Sequence, residues 1–489
     1  MRALLVHPFN IIPKSWIPYF PQEPLALQYL AAIAEGHEVR ILDCIGEFWG
    51  QYRRLDGKFH VGASLEQIEA AVRAWRPELV GVTMPFCNQI SPANSIIDLV
   101  KGLDRGIVTV AGGSAACAEP ERTLESNRNL DIVVMGEGEL TFRELLDSNA
   151  MGLDTIDGIV YRDGHRTVTN RPRQLVANLD GLPFPKRELV PFDIYSMSLF
   201  KGPLVRRAKL LLQWLRLNRD WVAIRTTLAQ PRAASPGRHA AIVSSRGCPF
   251  NCYYCAVRNV WGRSYRQRSA ENVLREITML YEQWGVRTFN FLDDNFNVSN
   301  KRVVEICRGI IEQGLDVRLR AASGLYLSPD LDRETLSLMR EAGFTDLYFG
   351  IESGNQRVLD EVILKRIRLE RVDEIARLCR EVGIVSGGYF MVGVPGETVE
   401  TMEDTIRFAL SSNLDRARLY TCQPFPGSKL YGDCLKNGWL ADDYDPSRAL
   451  IFGSKPYIKT EDFSPDDVMR LAEKGKAELR KAGKLDQKK

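Results

Sequence analysis

The 489-residue sequence has no run of about 18 apolar residues, so nothing in it reads as a membrane-spanning helix. Its start, MRALLVHPFN, has a short apolar run broken by Pro8 and lacks the core and cleavage site of a secretory leader. It has almost no charge imbalance. Lys and Arg number 65 against 62 Asp and Glu, a net charge of +3, which excludes nucleic-acid binding by bulk charge; no nucleic-acid partner is expected. Ten cysteines in a chain this long do not form a disulfide scaffold. A cytoplasmic location is expected, where clustered thiols bind metal or do redox chemistry.

At roughly 100–200 residues per domain, the length suggests two to four domains. Residues 1–150 alternate strand-like runs (3–6, 37–44, 79–84, 107–113, 131–139) with helical stretches (24–35, 64–75, 91–103, 140–148). The runs are almost continuously apolar, as buried parallel strands are. The pattern predicts a doubly wound, flavodoxin-like α/β domain, with ligands beyond the carboxyl ends of its strands. There lie His7-Pro8-Phe9-Asn10, Pro85-Phe86-Cys87-Asn88, Gly112-Gly113-Ser114 and Gly136-Glu137-Gly138-Glu139.

Residues 151–238 read as a connector, with an Asp-Gly hairpin over 157–172. Within it, 200–232 is rich in Leu, Trp and Arg and has one acidic residue, Asp220. Two readings stand: a helix packed on a neighbouring domain, or a basic amphipathic helix at a membrane face or lipid substrate. Residues 239–430 alternate again through six strand–helix repeats, a partial (β/α)6 TIM-type barrel with reactive residues at the C-terminal strand ends. Residues 431–489 read as a short helical tail whose basic end is solvated.

The first barrel strand runs into SSRGCPFNCYYCAVRN, in which Cys248, Cys252 and Cys255 are spaced C-x3-C-x2-C and no fourth thiol follows. A structural zinc site wants four closed ligands, and an electron-transfer cluster four cysteines. Three cysteinates can hold three irons of a 4Fe-4S cluster and leave the fourth open to a non-protein ligand. The alternatives are zinc with a distant fourth ligand, or three core cysteines. The other seven cysteines are dispersed, Cys307 and Cys379 inside helices; Cys422 and Cys434 are too few for a second cluster.

GCPFNCYYC, with Tyr254 before the last cysteine, resembles the signature of the radical SAM superfamily. PQEPLALQYLAAIAE, GHEVRILDC, VAGGS and DIVVMGEGELTFRELL resemble the cobalamin-binding domain that precedes the radical SAM domain in one large class. WGRSYRQRSAENVLREI and FNFLDDNF are similar to that class as well. The resemblance implies three cofactors: a 4Fe-4S cluster on Cys248, Cys252 and Cys255, S-adenosylmethionine on the open iron, and cobalamin on the first domain. Reduction of the cluster would cleave S-adenosylmethionine to a 5′-deoxyadenosyl radical.

By the same resemblance Asp293, Asp294 and Asn295 are candidates for the methionine amino group, Ser323 for its carboxylate and Glu352 for the ribose hydroxyls. Tyr254 and the loop 393–397 fall on the adenine side. For Asp293 and Glu352 the alternative is helix capping or pairing with Arg320. Gly112, Gly113, Ser114, Gly136, Glu137 and Gly138 are the cobalamin candidates. One absence matters here. The Asp-x-His-x-x-Gly motif that supplies a lower cobalt ligand is missing, and the loop reads HPFNIIP. Cobalt is then expected without a protein ligand, its lower face open or near Cys87 or Asn88, and His7 packs at a strand end.

Two activities follow from the resemblance. One is methylation of an unactivated carbon through methylcobalamin. The other is a cyclisation, ring contraction or other rearrangement in pigment, hopanoid or lipid biosynthesis without net methyl transfer. A sensor module reporting redox state is a third, non-enzymatic reading. The expected partners are a small-molecule substrate, a lipid or other apolar molecule among the options, and a reductase or a flavodoxin or ferredoxin as electron donor. Peripheral membrane contact is expected only if residues 200–232 guide such a substrate.

Overall fold

The computed structural model describes residues 1–13, 19, 21–195, 238–321, 323–448 and 455–485. The stretch 200–232 lies outside them. The chain divides into two compact units, Met1–Gln174 with 182–240 and 280–288, and 175–181 with 241–279 and 289–489.

In the first unit the strands Glu38–Asp43, Arg2–His7, Leu79–Thr83, Val108–Gly112 and Ile132–Val134 lie side by side in that order and run parallel. The hairpin strands Ile159–Asp163 and Arg166–Thr169 extend the sheet antiparallel. Side chains alternate between two apolar cores, as a two-residue period requires. Leu4, Val6, Val80, Val82 and Val133 pack with Ile68, Val72, Ile96 and Ile97 on one face. Ala3, Leu5, Leu79, Val110 and Ile132 pack with Leu27, Ala31, Phe142 and Leu145 on the other. The strand order reverses between Arg2–His7 and Leu79–Thr83, which opens a crevice at the loops that follow them.

A second, antiparallel sheet of Asn10–Pro13, Lys58–Val61 and Tyr52–Leu55 follows the first strand. The sequence reading did not contain it. Its signal was the Asp56-Gly57 pair, both residues at positive φ (33° and 79°), which closes the hairpin.

Two three-stranded sheets follow along the chain: Arg238–Ile242, Val286–Phe291 and Arg318–Ala321, then Asp346–Glu352, Val385–Val392 and Arg416–Thr421. The latter three are parallel, and parallel bridges Leu319–Phe344 and Leu325–Phe349 link the two sets. Helices follow the strands, as in a partial (β/α)6 barrel.

The C-terminal segment departs from the expected solvated tail. Helix Pro465–Lys481 opens with a Ser464–Asp467 capping box and buries Val468, Leu471, Ala472 and Leu479. A Cβ on Gly475 would stand 2.7 Å from Leu419 Cδ2, so a glycine lets the helix lie against the last strand. Lys484 donates to Leu410 O at 2.7 Å, and Leu485 bridges to Ala417. An apolar stripe at helical spacing outweighed the basic composition.

Candidate cluster and cofactor site

The thiol loop leaves the strand pair Ser245–Arg246 and Arg266–Gln267. Gly247, at φ 80°, starts it; a Cβ there would meet Ser264 O at 2.1 Å. Backbone bonds clamp the loop: Tyr253 N donates to Ile363 O (3.0 Å), Leu430 N to Tyr253 O (3.2 Å) and Cys255 N to Cys252 O (3.2 Å). Cys248, Cys252 and Cys255 are half-buried and form no disulfide. Burial pushes all three thiols up, Cys255 to about 12, and neighbouring thiolates add to the shift at Cys252 and Cys255. Such thiols give up their protons when a metal replaces them. Among the described residues no three His, Cys, Asp or Glu side chains converge as one ion would require. A cubane gives each thiolate its own iron and does not ask for that convergence. Three free thiols clamped on one loop, with a buried acceptor orphaned beside them, fit a 4Fe-4S cluster.

That acceptor is Asn295 Oδ1. The Asn295 amide donates to the Cys248 sulfur. Its neighbour Asp294 accepts from Gly247 N at 3.1 Å, and burial raises its carboxyl to about 6. Asp293 points elsewhere. It is buried and accepts from Ser244 Oγ (2.8 Å), Ser244 N (3.3 Å) and Ser245 Oγ. Arg302 braces the same strand end, donating to Ser244 O at 3.0 Å and Oγ at 2.8 Å. Both lie past the strand end at Phe291, and the two neighbours take different partners, which the string LDDN does not disclose.

Glu352 ends its strand at φ 75°, with a register shift between Gly350 and Glu352. A non-glycine residue there stores strain of the kind found at ligand clamps. Its Oε1 accepts from Lys365 Nζ at 3.0 Å, and both side chains are largely buried. A Cβ on Gly350 would stand 2.6 Å from that Nζ and 2.8 Å from that Oε1, so glycine makes the room for the pair. Tyr254 bonds to Glu352; burial, then the Glu352 and Cys252 charges, push its hydroxyl well above the usual phenol range. Lys365 follows the single π-helical turn Val358–Ile363 and holds the Cys252 and Cys248 thiolates down against burial. Nothing in the sequence marks Lys365, because a π turn and the left-handed Leu364 aim it. Arg320 pairs with Asp346 at 3.7 Å, not with Asp293 or Glu352. Ser323 lies exposed after its strand. In the loop 393–397, Glu397 is fully buried; Oε2 accepts from Gly393 N (2.9 Å) and Val394 N (2.8 Å), and Oε1 has no partner.

In the first unit the glycine loops gather at the carboxyl edge of the parallel sheet. Gly113, at φ 105°, lets its strand end touch the next: a Cβ would meet Met84 C and O at 2.9 Å. Met84 N donates to Gly112 O at 2.6 Å and Ala115 N to Met84 O at 3.0 Å. Ser114 begins the short helix Ser114–Ala118. Gly136, at φ 70°, donates its N–H to Cys117 Sγ at 3.3 Å. Glu137 is buried, and Gly138 precedes helix Glu139–Asp147. Phe86 stands exposed on this rim, with Cys87 and Asn88 half-buried. Asn10 Oδ1 and Gln89 Oε1 are buried without partners on the same edge. A glycine-lined edge with orphaned acceptors fits a large polar cofactor. His7 Nδ1 is bound to Asp43 at 2.8 Å, and Asp43 also accepts from Tyr195 and Ile45 N.

Residues 242–409 match the Radical SAM superfamily and residues 18–146 the B12 binding domain. An uncharacterized methyltransferase of Pyrococcus horikoshii is 28% identical over 477 residues, 97% of this chain and 91% of its own. The cytidylyl-2-hydroxyethylphosphonate methyltransferase of Streptomyces wedmorensis is 28% identical over 485 residues, 92% of this chain and 84% of its own. The radical S-adenosylmethionine methyltransferase TsrM of Kitasatospora setae, solved with cobalamin and a 4Fe-4S cluster bound, shares the fold at a TM-score of 0.64. That match has 22% identity and covers 89% of this chain and 75% of TsrM. The two family segments and the geometry of the thiol loop identify the chain as a cobalamin-dependent radical SAM enzyme, with a 4Fe-4S cluster, S-adenosylmethionine and cobalamin as its cofactors.

Proposed function

We propose that this enzyme transfers a methyl group to a carbon of a small-molecule substrate. One observation carries the reading. Similarity to two methyltransferases runs through the B12-binding and radical SAM segments alike, over 97% and 92% of the chain.

When bound, the cofactors supply a 5′-deoxyadenosyl radical to activate the substrate carbon and a methyl group to place on it. The chain's own residues bind and orient. Cys248, Cys252 and Cys255 hold the cluster. Asp294 and Asn295, which face the thiol loop, are the better candidates for the methionine ammonium; Asp293, engaged by three donors, holds the strand end that presents them. Glu352 accepts hydroxyl donors with the oxygen that Lys365 leaves, and Tyr254 orients it. Lys365 places positive charge against two thiolates, which favours the reduced cluster. Gly112, Gly113, Ser114, Gly136, Glu137 and Gly138 form the cobalamin edge. Electrons come from an external reductase, flavodoxin or ferredoxin. A lipid substrate and peripheral membrane contact rest on residues 200–232 alone; a protein left at the bottom of a liposome flotation gradient removes them. Among the described residues no helix is long and apolar enough to cross a membrane.

The test is anaerobic turnover with trideuteromethyl S-adenosylmethionine and a fractionated small-metabolite extract. The labelled methyl should appear in a product alongside 5′-deoxyadenosine. Accumulation of 5′-deoxyadenosine and an unlabelled, rearranged product would favour the cyclase or ring-contraction reading instead.

A further inference from the structure

In the first unit two loops flank the crevice at the strand reversal, 8–10 after Arg2–His7 and 84–89 after Leu79–Thr83. Phe86 stands on the second loop, 51% exposed, the one exposed aromatic side chain among the described residues. A large apolar side chain left in water at a ligand edge is an informative exception. The loop holds its shape through backbone bonds, with Gln89 N donating to Phe86 O at 2.9 Å. The ring itself belongs to neither core of the sheet.

Two buried acceptors lack donors on the same loops. Asn10 is 3% exposed and Gln89 2%, and neither Asn10 Oδ1 nor Gln89 Oε1 has a partner. Strand Asn10–Pro13 packs on the turn Cys87–Gln89, which brings the two loops together. An acceptor buried without a donor is costly, and two at one edge mark where a ligand brings its donors. The Asn10 amide nitrogen is already engaged, donating to Tyr19 Oη at 2.9 Å. The edge therefore asks for a flat apolar surface rimmed by N–H donors. A corrin meets that demand, since its faces are apolar and its rim carries primary amides.

Of the nearby side chains able to ligate a metal, two are directed elsewhere. His7 continues the side of its strand that carries Ala3 and Leu5, and Asp43 holds its Nδ1 at 2.8 Å. Loop 84–89 leads instead to helix Ile90–Leu103, which packs on the opposite side with Leu4 and Val6. Cys87 packs into that core with Ile90. Asn88 is the third, and it is half-buried, whereas Phe86 stands out on the rim. A phenyl ring has no lone pair to offer a metal.

We propose that Phe86 is a positioning residue for cobalamin: its ring lies against the corrin face that rests on this edge and keeps that side of cobalt without an axial donor, from protein or water, while Asn10 and Gln89 accept amide hydrogens from the corrin rim. The inference goes beyond the methyl-transfer reading, because it holds for either activity. An apolar side chain against a metal controls solvent access and, with it, the redox behaviour of the centre. With no lone pair pressed on cobalt from this side, the electron-rich reduced state is favoured.

The test uses the full chain, reconstituted anaerobically with an oxidised cluster and with cobalamin in the Co(II) state. Cobalt is then the paramagnetic centre, and electron paramagnetic resonance reads its axial position. The unaltered chain should give the four-coordinate signal, with no nitrogen splitting and no bound water. Phe86→Ala should admit water and convert the signal to the five-coordinate form, and Phe86→Leu should keep it four-coordinate. Phe86→His should show a nitrogen triplet that becomes a doublet when histidine carries the heavier nitrogen isotope. Gln89→Met and Asn10→Leu should each weaken cobalamin at least tenfold while iron content holds. Were these oxygens orphaned in the holoenzyme too, their loss would leave cobalamin affinity unchanged and make the cobalamin-free chain no less stable. Phe86 is exposed, so its replacement spares the core; if Asn10→Leu does not fold, Gln89→Met decides. A five-coordinate signal in the unaltered chain, whether from nitrogen or oxygen, would overturn the proposal. So would a Phe86→Ala signal equal to the parent's, or unchanged affinity in Gln89→Met. If 5′-deoxyadenosine and labelled product still form in that case, only this inference falls.

Discussion

Glu397 offers a quantitative check on the barrel's interior. Its side chain is fully buried, with two backbone N–H donors on Oε2 and no partner on Oε1. Burial outweighs those donors and raises the carboxyl from 4.5 to about 8, so the group is a neutral acid at pH 7. Below pH 4.5 the folded and unfolded chains both hold the proton, and the group costs nothing. As pH rises the unfolded chain ionises first. Stability then falls steadily until pH 8, where the folded carboxyl also ionises and the full cost is present. From pH 5 to pH 8 the loss is on the order of 3–4 kcal/mol. Glu397→Gln keeps the shape and the acceptor for Gly393 N and Val394 N but removes the ionisation. It should change stability by less than about 1.5 kcal/mol at pH 5 and raise it by about 3 kcal/mol at pH 8. Urea unfolding of the two proteins at both pH values, followed by hydrogen exchange along Val385–Val392, measures the difference. Infrared spectra should show a protonated carboxyl band at pH 7 that the variant lacks. A variant less stable than the parent at pH 8 by the same margin as at pH 5 would refute the neutral acid and imply an ionised carboxylate with a cationic partner.

Replacing Lys365 by Met leaves Glu352 buried beside the thiol loop without its cation, at a cost of about 3–5 kcal/mol; adding Glu352→Gln should recover more than half of it, as chemical unfolding would show. The same Lys365→Met protein should keep its iron and display a lower cluster potential in an anaerobic redox titration. Gly113→Ala must find space 2.9 Å from the Met84 backbone at φ 105°, and should lose cobalamin, read as the cobalt-to-protein ratio, while its iron stays. Asp293→Asn should lower stability by about 1–3 kcal/mol, because it disturbs the donors from Ser244 and Ser245, and S-adenosylmethionine affinity should fall more in Asp294→Asn than in Asp293→Asn.

The primary sequence was sufficient for most of what depends on local pattern, although the Asp56-Gly57 hairpin and the apolar stripe of the last helix went unread. Apolar runs of four to seven residues alternating with amphipathic stretches named the parallel strands and their helices, since period two and period 3.6 are properties of the string itself. The thiol spacing likewise pointed to a 4Fe-4S cofactor, because thiols close in sequence on one loop are close in space. Tertiary structure alone decided which neighbour faces where. It turned Asp293 inward to Ser244 and Ser245 and Asp294 toward the thiols, two adjacent carboxylates that the string cannot rank. It brought Lys365 to Glu352 through a π turn, and docked a basic tail by its one apolar stripe. It also laid Arg418 over Tyr389 and Tyr348, on strands about 30 and 70 residues earlier, a contact written only in the register of neighbouring strands. Charge and aromatic rings gain meaning from what packs across from them, and that is a property of the fold.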